Sequence, residues 1–427
     1  MSDPLLSVEN LRTTFHTDQE TIRAVDGASF SVAPTETLGI VGESGSGKSV
    51  TARSILGLVE KPGRVHPDSA IRYHDPAFVQ RIARAHPDAT FWDDAVDDEP
   101  DEAFVTVHEG EQSGEKAVVE RGSVDLVSAP DSVARQVRGS EIAMVSQDAL
   151  SSLNPVYTVG NQIEELLGIH RGLSGREATE TAEELLRNVG IPDPERRLRE
   201  YPHQFSGGMQ QRAVIALALA CDPSVLVCDE PTTALDVTIQ AQVLDLLARL
   251  KREQDLSVVF ITHDIGVIAQ VADSVAVMYA GEVVERAPVD RLFDAPKHPY
   301  TRGLLRSIPG LATTGDRLPT IEGSVPTPNE AATSCRFAPR CPEAFDACHE
   351  VHPDAVRVDG DRGSSADGDE PAGASGEHTA ACLLYPSSLS TGERVERHGG
   401  DGRSGRTDRS SSARADGGTA TDSEVSE

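Results

Sequence analysis

The fold of this chain is decided by eight residues, Gly42-Glu43-Ser44-Gly45-Ser46-Gly47-Lys48-Ser49, which directly follow an apolar run at 38–41. The glycines allow the backbone to curl so that successive N–H groups point inward, and the helix predicted after the loop adds the positive end of its dipole. Lys48 supplies a mobile ammonium group for the β and γ phosphates, and the hydroxyl of Ser49 can ligate Mg²⁺. The segment therefore predicts a nucleotide-binding α/β protein of the P-loop type.

A second cluster lies far downstream in the chain. It contains Phe205-Ser206-Gly207-Gly208-Met209-Gln210-Gln211-Arg212 and an apolar run that ends in Asp229-Glu230. The apolar run is typical of a buried strand. Together with the phosphate loop, these motifs resemble the ATP-binding cassette of ABC transporters. The resemblance implies a cassette over 5–285 with a RecA-like core sheet, an antiparallel β subdomain and a helical signature subdomain at about 150–222.

The resemblance also implies roles in ATP hydrolysis. Asp229 would hold Mg²⁺ together with Ser49 and Gln147, and Glu230 would polarise the attacking water as a general base. Gln147 also resembles the glutamine that couples the cassette to the membrane domain, and His263 resembles the switch histidine that contacts the γ-phosphate. A lone histidine at a strand end is usually a surface or capping residue. The position of His263 after the two acids favours the catalytic interpretation.

Phe15 and the signature motif complete the predicted ATP site. Phe15, in the first predicted strand, would stack on adenine, although a phenylalanine there could equally belong to the core. Ser206 can cap the following helix and leave N–H groups that attract phosphate. In cassettes this helix end faces the ATP of a partner subunit, so we expect a second ATPase subunit, as a heterodimer. The residues that would act on the partner's ATP are Ser206, Gly207, Gly208, Met209 and Asp236, with Met209 departing from the glutamine of many cassettes.

Composition narrows the class of protein. The 427 residues include 69 acidic and 39 basic ones, giving a net charge of −30, and only 4% are aromatic. These values argue against nucleic-acid binding, which needs a basic surface. An acidic surface of this kind stays hydrated at very high salt, so we expect a halophilic archaeal source, the alternative being an ordinary protein with acidic tails. No apolar run approaches the roughly 20 residues that cross a bilayer, which predicts a peripheral protein on the cytoplasmic face of the cell membrane.

Two segments interrupt the cassette pattern. The stretch at about 67–121 is acidic, with its centre at 93–102, and predicts an extended, solvated insertion or, alternatively, a docking site for a partner. The tail at 387–427 is rich in Ser, Gly, Asp and Arg and is predicted to be disordered. Between them, Ser174 and Glu177 have the spacing of a capping box that opens a helix.

The region at 286–386 narrows the family further. It contains His298-Pro299-Tyr300-Thr301, Gly323-Ser324-Val325-Pro326 and Cys335-Arg336-Phe337-Ala338-Pro339-Arg340-Cys341-Pro342. This pattern resembles the C-terminal extension of ATPase subunits from dipeptide and oligopeptide importers, although nickel importers share it. The resemblance implies two transmembrane permease subunits and, indirectly, an extracellular peptide-binding protein as partners.

Four of the six cysteines lie in this extension, namely Cys335, Cys341, Cys348 and Cys382. Because disulfides are rare in a reducing cytoplasm, clustered thiols favour metal binding. Their chemistry suits Zn²⁺ or an iron–sulfur cluster, and four unmetallated thiols are a further alternative. The family resemblance favours a [4Fe–4S] cluster.

The motifs predict an ATPase with ATP and Mg²⁺ as cofactors, and the family resemblance implies that it drives import of dipeptides or oligopeptides. Three alternatives stay open at this point. They are a nickel importer ATPase of the same family, a soluble cassette ATPase acting on ribosomes or DNA, and a regulatory subunit that binds ATP without hydrolysing it.

Overall fold

The computed structural model describes residues 3–92, 103–113, 116–148, 152–233, 235–308, 321–358, 377–386 and 389–399. In this part of the chain the strands form two sheets, and helices pack against them. No helix of the described ranges combines the length and the apolar character that a bilayer-spanning helix needs.

The first sheet is largely antiparallel and has the strand order β2-β1-β5-β8-β7-β6, with β4 paired to β1. Among the strand pairs of the described ranges, β6 and β7 are the parallel pair of this sheet. This sheet corresponds to the predicted antiparallel β subdomain. Its strands are β1 (Leu6–His16), β2 (Thr21–Val32), β4 (Gly63–Val65), β5 (Ala70–Tyr73), β6 (Thr90–Trp92), β7 (Val105–Ser113) and β8 (Lys116–Asp125).

The second sheet has the order β14-β15-β13-β12-β3-β11-β10-β9. Its five strands from β12 to β9 are parallel, and β13, β15 and β14 add an antiparallel edge. The parallel strands are nearly continuous apolar runs because helices cover them. The strands are β3 (Thr37–Val41), β9 (Ile142–Val145), β10 (Val225–Asp229), β11 (Ser257–Thr262), β12 (Ser274–Tyr279), β13 (Glu282–Pro288), β14 (Ala355–Arg357) and β15 (Thr379–Ala381).

The helices fall into three groups: those around the sheets, those of the predicted helical subdomain, and those of the C-terminal part. The first group is α1 (Lys48–Ile55), α2 (Pro76–Ala85), α3 (Asp131–Val137), α8 (Val237–Glu253) and α9 (Ile265–Val271). The second is α4 (Val159–Arg171), α5 (Gly175–Asn188), α6 (Pro194–Arg197) and α7 (Gly207–Leu219). The third is α10 (Val289–Asp294), α11 (Pro299–Arg306) and α12 (Thr391–Gly399).

The stretch at 67–121 differs from the expectation of an extended insertion. Much of it folds into β5, α2 and the strands β6 to β8, and apolar residues such as Ile71, Phe78 and Val105 are buried, whereas Val118 is exposed. Asp75 caps α2 by accepting a hydrogen bond from the N–H of Phe78 at 2.7 Å. The expectation rested on the high charge of the acidic centre. The residues on either side of it carry the apolar periodicity of strands and a helix, and these residues fold. That centre, 93–102, lies outside the described residues.

Two local expectations also differ from the structure. Ser174 is the N-cap of α5, but its side chain makes no capping hydrogen bond. Within the tail predicted to be disordered, α12 forms a helix, and Ser390 and Glu393 exchange hydrogen bonds at its start. Such a reciprocal pair satisfies N–H groups that a helix start leaves unpaired. Residues 387–388 and 400–427 lie outside the described part.

Candidate functional site

The phosphate loop connects β3 to α1 at the carboxyl edge of the parallel sheet, where α/β proteins place ligands. Two of its glycines are required by close backbone contacts. A Cβ at Gly42 would lie 2.1 Å from the carbonyl oxygen of Met278, and one at Gly47 would lie 2.3 Å from that of Ala24. Gly47 also has a φ of +102°, which side chains disfavour. The loop therefore packs closely against the backbones of β12 and β2.

Lys48 points into this loop. Its Nζ donates to the carbonyl oxygens of Gly42 at 2.8 Å and Glu43 at 2.9 Å. Burial lowers the pKa of Lys48, although nearby carboxylates, including that of Asp229, oppose this shift. A buried ammonium held by neutral oxygens, the two carbonyls and the Ser46 hydroxyl at 3.5 Å, is well placed to exchange them for phosphate oxygens.

Ser49 and Asp229 lie in direct contact. The Ser49 hydroxyl donates to Oδ1 of Asp229 at 2.9 Å, which joins the start of α1 to the end of β10. Burial raises the pKa of Asp229, against the effect of this hydrogen bond. Gln147, the third residue predicted to hold Mg²⁺, donates instead to Glu230. The structure thus brings two of the three predicted oxygen ligands together.

Glu230 lies at the centre of a polar network. Its Oε2 accepts a hydrogen bond from Thr233 Oγ1 at 2.8 Å and one from Gln147 Nε2 at 3.2 Å, and it lies 3.1 Å from Nδ1 of His263. Burial of this carboxylate favours a higher pKa, but the hydrogen bonds from Thr233 and His263 outweigh burial and lower the pKa of Glu230. The carboxylate is therefore held ionised.

The structure brings all three predicted catalytic residues, Glu230, His263 and Gln147, into this network. Thr233 was not among the predicted site residues. Its signal was available, because a hydroxyl three residues after Glu230 on a turn can reach back to that carboxylate.

The signature residues lie on the adjoining helices α7 and α8. Ser206 caps α7 by accepting from the N–H of Met209 at 3.4 Å, and Met209 packs partly buried against the core. Gly208 faces α8, where a Cβ would meet Ile239 at 2.8 Å. Asp236 caps α8, accepting from two backbone N–H groups at 3.0 Å. In the described ranges no hydrogen bond of Ser206 or Asp236 reaches the phosphate loop, so their action on a partner's ATP stays a prediction.

Phe15 lies on β1 and is half-buried. Its ring lies against Gly63 of β4, where a Cβ would come within 2.6 Å of it. The contact fixes the ring, and its stacking on adenine stays a prediction.

The C-terminal part of the chain reaches the phosphate loop directly. The hydroxyl of Tyr300 accepts a hydrogen bond from the N–H of Glu43 at 2.9 Å. Arg340 contacts the Glu43 carboxylate with both terminal nitrogens, at 2.9 and 3.2 Å. Both residues belong to the family pattern at 286–386, but no motif links them to residue 43, so this contact could not be predicted from the sequence.

The four cysteines of the extension carry free thiols. Burial raises the pKa of Cys335 to about 11 and that of Cys382 to about 12, with smaller contributions from the neighbouring thiols. Cys335 also donates its backbone N–H to the carbonyl of Cys348 at 3.1 Å. Nevertheless, no group of three or more His, Cys, Asp or Glu side chains in the described ranges is arranged to hold a metal ion. The arrangement therefore does not support the predicted iron–sulfur cluster.

Most of the chain is similar to proteins of a known family. Residues 25–113 and 111–233 match the ABC transporter family, and residues 284–348 match the C-terminal region of oligopeptide/dipeptide transporters. A relative in Brucella abortus (strain 2308), named as a peptide import ATP-binding protein, is 48% identical over 350 residues, which are 82% of this chain and 91% of the relative. Another of the same strain, with the same kind of name, is 44% identical over 367 residues, or 84% and 96%. A dimeric bacterial ABC transporter cassette of known structure aligns with a TM-score of 0.49 and 25% identity over 66% of this chain and 98% of its own.

Proposed function

The chain belongs to the ATP-binding proteins of ABC-type peptide importers, and we propose that it hydrolyses ATP to drive uptake of dipeptides or oligopeptides across the cell membrane. One observation carries the proposal. The phosphate loop, the Ser49–Asp229 contact and the Glu230 network meet at one sheet edge, and the peptide-importer extension contacts that loop through Glu43.

In this proposal ATP lies along the phosphate loop with its β and γ phosphates at Lys48. The ionised Glu230 accepts a hydrogen bond from the attacking water and orients it toward the γ-phosphorus. His263 contacts the γ-phosphate, where a donor stabilises the charge that spreads over the transferring phosphoryl group. Thr233 and Gln147 hold the Glu230 carboxylate in place through their hydrogen bonds.

Mg²⁺ would be held by Ser49 and Asp229, with Gln147 as a further ligand. The two contacting oxygens fit a hard cation, which prefers hydroxyl, carboxylate and water oxygens. When bound, the ion neutralises charge on the phosphates. The buried Asp229, whose pKa is raised by desolvation, is the group that would gain most from a cation.

The proposal includes a second cassette and two permease subunits. Ser206 and Asp236 would face the ATP of the second cassette, which we expect to be a different chain. A groove of about 970 Å³ between the core sheet and the helical subdomain offers a place for cytoplasmic helices of the permease. Tyr157 lines this groove with 55% of its surface exposed, and the neighbouring Val156 is 70% exposed. The chain would thus lie peripherally on the cytoplasmic face of the membrane.

We add a metal site to the proposal as a separate element that the ATPase activity does not depend on. Its metal would be a [4Fe–4S] cluster, or Zn²⁺ in its place, bound by Cys335, Cys341, Cys348 and Cys382. The support for this cluster is chemical, because four thiols lie near one another. The geometry gives no support, since no group of three or more ligand side chains in the described ranges is arranged to hold a metal ion. Iron, sulfide and zinc analysis of protein purified without oxygen tests it. Less than one metal equivalent per chain would remove this point and leave the ATPase proposal intact.

The net charge of −30 is the support for a salt-adapted source. The two relatives compared above are bacterial, so they lend no support to an archaeal one. Unfolding midpoints measured from low to molar KCl test the adaptation, because a halophilic surface gains stability as cations screen its self-repulsion.

The transport proposal is tested by affinity purification of the chain from its native membranes at high salt, followed by mass spectrometry. Permease subunits, a second cassette and a peptide-binding protein are the expected partners. Recovery with ribosomes or soluble proteins alone would overturn the transport proposal, and a co-purified nickel-binding protein would favour the nickel alternative.

A further inference from the structure

Glu43 places a negative charge inside a loop that is built to receive a polyanion. Its carbonyl oxygen accepts from the ammonium group of Lys48 at 2.9 Å, so the residue lies next to the group that meets the phosphates. A carboxylate there repels ATP, and the repulsion is strong where protein excludes water. An acidic residue at this position therefore needs a partner charge.

Arg340 supplies that charge from almost three hundred residues away. Its two terminal nitrogens bind the two oxygens of the Glu43 carboxylate separately, which is the bidentate geometry that arginine forms best. The Arg340 side chain is only 8% exposed. The Glu43 side chain is 26% exposed, so the pair is partly shielded from water and interacts more strongly than a fully exposed salt bridge.

The remaining donors of Arg340 fix its guanidinium group in place. Nε donates to the carbonyl of Glu322 at 2.8 Å, and Nη2 lies 3.3 Å from the carbonyl of Ile321 and 3.2 Å from that of Gly323. Nη1 also approaches the hydroxyl of Tyr279 at 3.3 Å. Lysine could not make this set of contacts, because it lacks the planar fork.

Tyr300 holds the backbone of the same residue. Its hydroxyl accepts from the N–H of Glu43, and its fully buried ring packs against Tyr279 and Phe337 with centroids 4.7 and 5.4 Å away. The N–H and the carboxylate of Glu43 are thus both bound by the C-terminal extension, while its carbonyl is bound by Lys48.

We propose that Arg340 is a positioning residue of the ATP site, which neutralises Glu43 and holds it away from the triphosphate, and that Tyr300 fixes the backbone of the loop for the same purpose. The inference rests on the proposed ATP site at this loop. Through these two residues the extension sets the affinity of the cassette for nucleotide. Neither residue touches ATP or takes part in the chemistry.

Removing the arginine should expose the phosphates to the Glu43 charge. Arg340→Gln should weaken ATP binding roughly tenfold, the size expected for one uncompensated unit charge near a partly screened site. The loss should shrink as salt rises, because screening weakens the repulsion. The turnover rate at saturating ATP should stay within about twofold of the wild type, giving a change in KM rather than in kcat.

The decisive variant combines Arg340→Gln with Glu43→Gln. If the arginine acts by cancelling the charge of Glu43, the double variant regains most of the lost affinity. If Arg340 only supports the fold of the extension, the double variant binds ATP as weakly as Arg340→Gln alone. Glu43→Gln on its own should bind ATP as tightly as the wild type or more tightly, since Arg340 is then uncompensated near the phosphates.

The experiment is a titration of the purified full-length chain with a fluorescent ATP analogue and Mg²⁺ at two salt concentrations. The matched control is Arg306→Gln, which makes the same chemical change at an exposed arginine of the same extension. Equal affinity of Arg340→Gln and wild type, or no recovery in the double variant, would overturn the inference. If Arg340→Gln does not fold, Glu43→Gln alone decides, because weaker binding by that variant contradicts charge cancellation. Failure of the wild type itself to bind, with no effect of Lys48→Ala, would instead overturn the ATP site.

Discussion

Glu230→Gln is the change that best separates hydrolysis from binding, because it removes the charge of the proposed base and keeps its shape. A general base contributes about 10²- to 10⁴-fold to a rate. The substitution should therefore lower the turnover number by that factor, equivalent to a barrier increase of about 2.7 to 5.4 kcal/mol. ATP binding should change little, since Lys48 and the loop backbone are untouched.

The structure also sets the expected effect on stability. The side-chain contacts of Glu230 with Thr233, Gln147 and His263 converge on one oxygen, Oε2. A neutral amide oxygen keeps hydrogen bonds that are weaker than those to a carboxylate by about 1 kcal/mol each. His263 is 57% exposed and contributes less. A loss of about 1 to 2 kcal/mol lowers the melting temperature by only a few degrees, so the variant stays folded.

The assay is phosphate release at saturating ATP, measured on the complex with its membrane partners, alongside nucleotide binding by the same complex. Glu184→Gln is the matched control, because it makes the same chemical change at an exposed position of α5. Turnover above one tenth of the wild-type value in Glu230→Gln would refute the role of Glu230 as the base.

Three further predictions concern the loop, the extension and the dependence on pH. Gly42→Ala should abolish nucleotide binding in a fluorescence titration and lower stability by more than about 2 kcal/mol, because its Cβ would collide with the carbonyl of Met278. Arg336→Ala should cost about 1.5 to 3 kcal/mol in urea unfolding, since it removes a charged hydrogen bond to Asp26, whose carboxylate keeps only the longer contacts with two other arginines at 3.7 and 3.8 Å among the described residues. Burial lowers the pKa of His74 to about 4 in the folded chain, below the value of about 6.5 in the unfolded chain. Between these two values the unfolded chain binds more protons than the folded chain, so the free energy of unfolding falls as the pH drops below about 6.5. Between pH 7 and pH 5 the free energy of unfolding should fall by about 2 kcal/mol through His74 alone. Urea unfolding of His74→Gln at both pH values should show a pH dependence smaller by this amount.

The resemblance to the ATP-binding cassette predicted the fold and assigned Glu230, His263 and Gln147 to one site. The structure brings them together because they follow strands of one parallel sheet, whose ends meet at one edge. It did not predict the contacts of Glu43 with Tyr300 and Arg340. Those contacts depend on how distant segments pack, and no local pattern encodes such packing.

Charge composition was the weakest guide. At 67–121 it pointed to a solvated insertion, whereas the flanks pair as strands, with the registers of β5, β7 and β8 set by buried apolar residues. Cysteine spacing was equally insufficient, since four neighbouring thiols do not by themselves define a ligand geometry.

The edge strands β15 and β14 determine where this chain can be truncated. They continue the sheet of the ATPase core by pairing to β13, so the sheet is completed by residues 355–357 and 379–381. A fragment that stops after β13 would leave the backbone groups of that strand open along one side. An open edge of this kind recruits other strands, so the isolated cassette should form intermolecular sheets and aggregate. The C-terminal segment thus covers the edge of the catalytic core at residues 285–286, and removing it should make the core prone to aggregation.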